Sequence, residues 1–154
     1  MTSMFDSILV VCSGNLCRSP VATALLQVRL PGRVIRSAGL SANLQEGLGV
    51  ASTARELAEA DGLNVQHHRS RSLRREWLEN VDLVLVMTES QRLAIGDMAP
   101  EATGRTFLFG RWLEGGGPQG VEIPDPYRKS RESYIHVHRL LVNAADEWQR
   151  KITL

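Results

Sequence analysis

One run of residues constrains this chain more than any other: Ser7-Ile-Leu-Val-Val-Cys12-Ser-Gly-Asn-Leu-Cys17-Arg18-Ser19-Pro20. Residues 7–11 are almost continuously apolar, as a central strand of a parallel sheet is, because both of its faces are buried. Cys12 closes that strand, a loop containing Gly14 follows, and Arg18 comes after five intervening residues. Ser19-Pro20 then opens a helix, since serine is a favoured N-cap and proline suits the first turn. A strand, loop and helix in this order let successive backbone N–H groups converge on an oxyanion. The positive end of the helix favours the same anion. Arg18 offers a planar fork that matches two phosphate oxygens. The same field favours the thiolate of Cys12 and makes it a nucleophile. A lone cysteine at a strand end is more often a small core residue; the surrounding strand, loop, arginine and helix carry the functional reading.

The rest of the chain alternates strand and helix signals. Helices are predicted over 19–30, ended by Pro31-Gly32, and over 52–61, where Thr53-x-x-Glu56 fits a capping box and Gly62 a stop. Residues 34–37, 81–87 and 106–109 read as strands, residues 40–49 as a loop, and 72–80 and 89–98 as helices. A long amphipathic helix is predicted over 131–151, with Ile135, His138, Leu141, Val142, Ala145 and Trp148 along one side. Alternation of this kind implies an α/β fold: a four-stranded parallel sheet with helices on both faces. A ligand then lies beyond the carboxyl ends of the strands, where the Cys12 loop leaves the first strand.

With 154 residues, a single domain over 1–154 is expected. A net charge of +1 argues against nucleic acid or anionic membrane as a partner, so any attraction for a phosphorylated substrate is local. No apolar run is long enough to span a membrane. The polar start, residues 1–6, lacks a signal-peptide pattern, and the cytoplasm is the expected compartment. Cys12 and Cys17 are the only cysteines. They are too close to make a useful structural staple. A reversible disulfide suits them better, with Cys17 trapping an oxidised Cys12 before it reaches irreversible acids. Two cysteines alone do not make a zinc site.

Expelling an alkoxide or phenoxide from a phosphate ester calls for a general acid. Asp125, between Pro124 and Pro126, is the best candidate, because two prolines stiffen the backbone that carries it. Tyr127 is placed to pack against an aromatic leaving group. Arg69, Arg71, Arg74 and Arg75 read as a solvated charged face.

Together these residues resemble the low-molecular-weight protein tyrosine phosphatases. The loop of that family, Cys-x-Gly-Asn-x-Cys-Arg-Ser-Pro, is matched at every fixed place from Cys12 to Pro20. Its Asp-Pro-Tyr falls at Asp125-Pro126-Tyr127, its Ser-Ala-Gly at Ser37-Ala38-Gly39, and its His-x-x-Arg at His68 and Arg71. The stretch 123–132 is similar to bacterial members that accompany exopolysaccharide-export tyrosine kinases, and Arg128 stands where animal members carry a second tyrosine. The resemblance implies a phosphocysteine at Cys12, with Arg18 and the N–H groups of Ser13, Gly14, Asn15, Leu16 and Cys17 holding the phosphate. Asp125 would act first as acid and then as base. Ser19 would donate to the Cys12 thiolate. Asn15 would adopt a left-handed backbone conformation and, with Ser37 and His68, brace the loop. Ser13, residues 40–44 (Leu40 first) and Tyr127 would wall a slot deep enough for phosphotyrosine. No metal or cofactor is implied. The implied partner is a phosphotyrosine protein, a bacterial tyrosine autokinase among the candidates, and the expected state is a monomer or weak dimer.

Three rival readings stay open. Thioredoxin-coupled arsenate reduction on the same fold needs further cysteines, which residues 81–91 lack. Arginine-phosphatase members carry threonine where this chain has Leu16. A non-catalytic phosphotyrosine-binding module would be expected to have lost the nucleophile, the arginine or the acid.

Overall fold

The computed structural model of the chain describes residues 5–41 and 43–153. Residues 1–4 of the polar start and Ala42 of the predicted slot wall lie outside the described residues. Strands β1 (Ser7–Cys12), β2 (Val34–Gly39), β3 (Leu83–Val86) and β4 (Thr106–Leu108) form one parallel sheet in the order β2-β1-β3-β4. Helices α1 (Arg18–Arg29), α2 (Ser52–Ala60), α3 (Arg75–Glu79), α4 (Glu89–Met98) and α5 (Arg131–Ile152) cover it.

The side chains of β1 alternate between two apolar layers. Ile8, Val10 and Cys12 join Leu83, Leu85 and Phe109 beneath α1, α2 and α5. Leu9 and Val11 join Val84, Val86 and Leu108 with Leu78 of α3 and Ile95 of α4. Burial on both faces is the reason that the run of 7–11 is continuously apolar, and each such side chain contributes about 1.5–3 kcal/mol.

Several local expectations shift for identifiable reasons. The predicted strand over 81–87 shortens to Leu83–Val86, and the Asp82 carboxylate before it accepts hydrogen bonds from the Asp6 and Ser7 N–H groups at 2.9 and 3.1 Å. The helix predicted over 72–80 shrinks to Arg75–Glu79, because its start runs beside the end of β2: Gly39 N–H donates to Arg71 O and Leu73 N–H to Gly39 O. Thr53 does not cap α2. Ala51 holds that place, and its own N–H is bonded to Leu16 O at 3.0 Å, which ties the helix entry to the phosphate loop. The far end matches the expected stop: Gly62 sits at φ +77°, its N–H donates to Glu59 O, and Leu63 N–H donates to Ala58 O. The buried face of α5 is rotated from the predicted one. Tyr134, Val137, Leu141, Ala144, Ala145 and Trp148 are buried, while Ile135, His138 and Val142 are only partly so. Val28, near the end of α1, is 66% exposed. A 3₁₀ turn over Pro100–Arg105 was not foreseen.

Candidate active site

Cys12 ends β1 in register with Gly39 of β2, and Leu40 and Ser41 donate their N–H groups to Cys12 O and Ser13 O, both at 2.9 Å. The two chains approach so closely that a Cβ on Gly39 would lie 2.8 Å from Ser13 O, which only glycine avoids. Past Cys12 the chain turns back on itself at Asn15, whose φ of 58° is left-handed.

Asn15 is fully buried and its amide is completely satisfied. Its Oδ1 accepts the Arg71 N–H at 3.0 Å, and this fixes which way the amide faces. Nδ2 then donates to Ser19 Oγ at 2.8 Å and to Ser37 Oγ at 3.0 Å. Because Ser19 Oγ already accepts from Asn15, its own hydrogen is available to the Cys12 Sγ, 2.9 Å away. His68 Nε2 lies 2.7 Å from the Asn15 carbonyl oxygen; that oxygen can only accept, so Nε2 carries the hydrogen. Burial lowers the His68 pKa and holds the ring toward its neutral form.

Helix α1 begins at Arg18, with Cys17 rather than Ser19 at its N-cap and no side chain capping it. Ser19 lies inside the first turn, where its hydroxyl serves the thiol and Asn15 instead. Arg18 is 3% exposed; Nη1 donates to Ile123 O at 2.8 Å, and Nη2 lies 3.7 Å from Asp125 Oδ2. Its buried Nε has no protein partner. Ile123 is itself fixed at the end of β3 through its N–H to Met87 O. One buried residue therefore sets the height of the Asp125 loop over Arg18. Asp125 Oδ1 accepts the Tyr127 N–H at 3.0 Å, a turn that side chain and prolines make together.

The cavity above the thiol measures about 270 Å³. Cys12, Gly14, Leu16, Cys17 and Arg18 line it from the loop, Asp125, Tyr127 and Arg128 from the facing loop, and Leu44 and Leu48 from the side. Seven of the residues named singly in the sequence thus come together there, with Ser41, Asn43 and Leu44 of the predicted slot wall. Ser13 and Leu40 do not line it. The Ser13 hydroxyl accepts from Gln91 Nε2 at 3.0 Å, and Leu40 packs in the layer of Leu9 and Val11. Asn15, Ser37 and His68 sit behind the loop rather than in the cavity.

Both cysteines are free thiols. Burial pushes the Cys17 thiol up to about 12, and its Sγ lies 3.9 Å from the Tyr134 hydroxyl. Tyr134 is also pushed up to about 12, by burial first and then by Cys17. The arginine run is not uniformly solvated as expected. Arg71 Nε donates to Ser37 O at 2.9 Å and its guanidinium stacks 5.0 Å over Trp77, while Arg75 pairs with Glu79 and Glu101.

The sequence reading missed Gln91, Leu48 and Arg128. Only Gln91 carried a local signal. Thr88-x-x-Gln91 is a capping box at the start of α4, and the same side chain reaches on to Ser13. Among the described residues no group of His, Cys, Asp and Glu could hold a metal ion, and no helix is long and apolar enough to cross a membrane.

A family model for low molecular weight phosphotyrosine protein phosphatases matches residues 7–153. The chain belongs to that family. It is 41% identical over 149 residues to the low molecular weight protein-tyrosine-phosphatase Etp of Escherichia coli K12, covering 97% of this chain and 96% of that one. The solved structure of Vibrio vulnificus Wzb with benzylphosphonate superposes with a TM-score of 0.88 at 39% identity, over 96% of this chain and 99% of that one. The YwlE arginine phosphatase of Geobacillus stearothermophilus shares the fold with a TM-score of 0.85 at 32% identity, over 96% of this chain and 92% of its own.

Proposed function

We propose that this protein hydrolyses phosphotyrosine in other proteins through a phosphocysteine at Cys12. The observation that carries the reading is the thiol itself. Its sulfur lies 2.9 Å from a hydroxyl whose oxygen already accepts from Asn15, at a cavity lined by a buried arginine with a free Nε and by one carboxyl group. Attack of the Cys12 thiolate forms the S–P bond as the P–O bond to the tyrosine breaks. Asp125 gives its proton to the departing phenolic oxygen. The loop N–H groups and Arg18 hold the equatorial oxygens while charge moves across them. Asp125, now a carboxylate, takes a proton from water as that water attacks phosphorus. The S–P bond breaks, the Ser19 hydroxyl donates to the returning thiolate, and inorganic phosphate leaves.

Leu16, Leu44, Leu48 and the Tyr127 ring give the cavity apolar walls suited to an aryl group. Family similarity over 123–132 favours, as natural substrate, the tyrosine-rich C-terminal tail of a bacterial exopolysaccharide tyrosine autokinase, with the cytoplasm as the compartment.

The test is turnover of phosphotyrosine, phosphoserine and phosphoarginine peptides side by side, with chelator, for wild type and Cys12→Ser. Chelator-insensitive release from phosphotyrosine alone, lost in the variant, is the expected result. Preference for phosphoarginine would replace the substrate class, and turnover surviving in Cys12→Ser would remove Cys12 as nucleophile. A kinase tail left phosphorylated by active enzyme would remove that substrate.

A further inference from the structure

Gln91 is 6% exposed, although the capping box that opens α4 gives its side chain one task only. A glutamine that only caps a helix keeps its second polar atom in water, and burying that atom costs free energy unless it is bonded. Here both ends are used. Oε1 accepts the Thr88 N–H of the box at 3.2 Å and, more closely, the Met87 N–H at 2.8 Å. Two N–H donors fix which end of the amide is oxygen, so Nε2 is the atom that donates to Ser13 Oγ, at 3.0 Å. Met87 carries the connection onward. Its carbonyl accepts the Ile123 N–H at 2.9 Å, and the Ile123 carbonyl accepts from Arg18 Nη1 at 2.8 Å. Four hydrogen bonds in series thus join Ser13, next to the nucleophile, to Arg18 at the far end of the same loop. The root of the acid loop hangs on this circuit, with Asp125 two residues beyond Ile123. The neighbouring Glu122 carboxylate accepts the Glu89 N–H at 2.7 Å, which attaches the same root to the start of α4.

We propose that Gln91 is a positioning residue that fixes the height of the Asp125 loop over the phosphate loop. It does not line the cavity above Cys12 and acts through Ser13 and Met87. Given the phosphatase reading above, that height sets the reach of the Asp125 proton to the leaving oxygen, and proton transfer is steeply sensitive to such a distance. The cradle is held separately, by the bonds of Asn15 and by the Ser41 N–H on the Ser13 carbonyl. Breaking the circuit therefore falls on the acid step rather than on the grip on phosphate.

The test compares kcat/KM on phosphotyrosine and on an activated aryl phosphate. Gln91→Met keeps the length of the side chain and removes both polar ends. It is expected to lower kcat/KM on phosphotyrosine by about 10- to 100-fold and on the activated ester by less than about threefold. Ser13→Ala cuts the circuit at the loop and leaves the capping box whole, so it decides the matter if Gln91→Met does not fold. Its losses are expected to be smaller and again to fall on phosphotyrosine. The two substitutions combined are expected to cost no more than Gln91→Met alone, since both open one circuit. Hydrogen exchange reads the circuit without turnover. The Ile123 amide, bonded to Met87 and not to Ser13, is expected to exchange about tenfold faster in Ser13→Ala than in wild type. Equal losses on the two esters overturn the positioning role, and an Ile123 amide unchanged in Ser13→Ala overturns the circuit. Phosphotyrosine untouched by wild type removes the phosphatase reading instead, and the exchange comparison still decides whether Gln91 ties the two loops.

Discussion

Asn15, behind the loop that follows Cys12, and Asp125, across the cavity from it, are held in opposite ways. Asn15 is fully buried and is bonded to Ser19, Ser37, His68 and Arg71, residues from three separate stretches of the chain. Asp125 has a side chain 51% exposed, accepts one hydrogen bond from the Tyr127 N–H, and among the described residues has one ion-pair contact, with Arg18 at 3.7 Å. The difference follows from what the proposed mechanism asks of each. A cradle for a transferring phosphoryl group works by fixed dipoles that need no rearrangement as charge develops. An acid that becomes a base in the next step has to meet first a leaving group and then water, so it stays near solvent. Rigidity is concentrated on the side that holds the phosphate, and access on the side that moves protons.

The largest break in that contrast comes from Asn15→Ala. It orphans the Arg71 N–H, takes their shared donor from the Ser19 and Ser37 hydroxyls, and leaves a non-glycine Cβ at φ 58° without the amide that compensated for it. The expected loss in urea unfolding is about 2–5 kcal/mol, from unsatisfied buried polar groups and left-handed strain. Phosphotyrosine turnover is expected to fall with it by more than about 100-fold, since the loop loses its fixed shape. A loss under about 0.5 kcal/mol would show that the bonds around Asn15 do not hold the loop.

Asp125→Ala sharpens the other half. Its carboxyl is half-exposed and stands 3.7 Å from Arg18, so the pair is worth at most about 1 kcal/mol and the melting temperature is expected to move little. Turnover of phosphotyrosine is expected to fall by about 10²–10⁴-fold, and that of an activated aryl phosphate by much less, because only the poor leaving group needs the proton. Equal losses on the two substrates would exclude general-acid catalysis by this residue.

The same contrast explains what could be read in advance. The sheet was legible because β1 is buried on both faces, and the site was legible because its residues cluster in short runs with a strict order of types. The tightly bonded half is where the reading slipped. Ser19 is a good N-cap by type, yet it spends its hydroxyl on Cys12 and Asn15, so the helix starts one residue earlier, uncapped. Gln91 satisfies an ordinary capping box and, with the same side chain, Ser13. Arg71 looks like one of four surface arginines and proves to be bonded to Ser37 and Asn15. Each of these side chains has a role in the local pattern and another across the fold; residue type and spacing show only the first, and the family resemblance adds the second for Ser19 alone. Leu40 slipped for a different reason. It belongs to one loop with Leu44, but Leu40 turns into the far layer of the core while Leu44 reaches the cavity, and no periodicity in a loop tells them apart.

The smallest effect tests how firmly the open side is set. Arg128 sits at φ 62°, the only non-glycine besides Asn15 with positive φ among the described residues. It has no comparable frame of bonds. Its guanidinium lies 5.3 Å over the Tyr127 ring, and its backbone approaches the Tyr134 hydroxyl that also touches Cys17. An exposed cation–π contact is worth about 0.5–1 kcal/mol, and the left-handed backbone costs a non-glycine residue about 1 kcal/mol. Arg128→Ala removes the contact and keeps the strain, whereas Arg128→Gly removes both. If the loop really is locked at this φ, the glycine variant unfolds at higher urea than the alanine variant. The expected difference is about 0.5–1 kcal/mol, even after the extra entropy of glycine in the unfolded chain. If alanine is equally stable, the loop relaxes out of the left-handed region when the arginine is gone. The Asp125 side is then set by Ile123 and the prolines alone, and its strain is a consequence of where the Arg128 side chain lies, not a constraint that positions the acid.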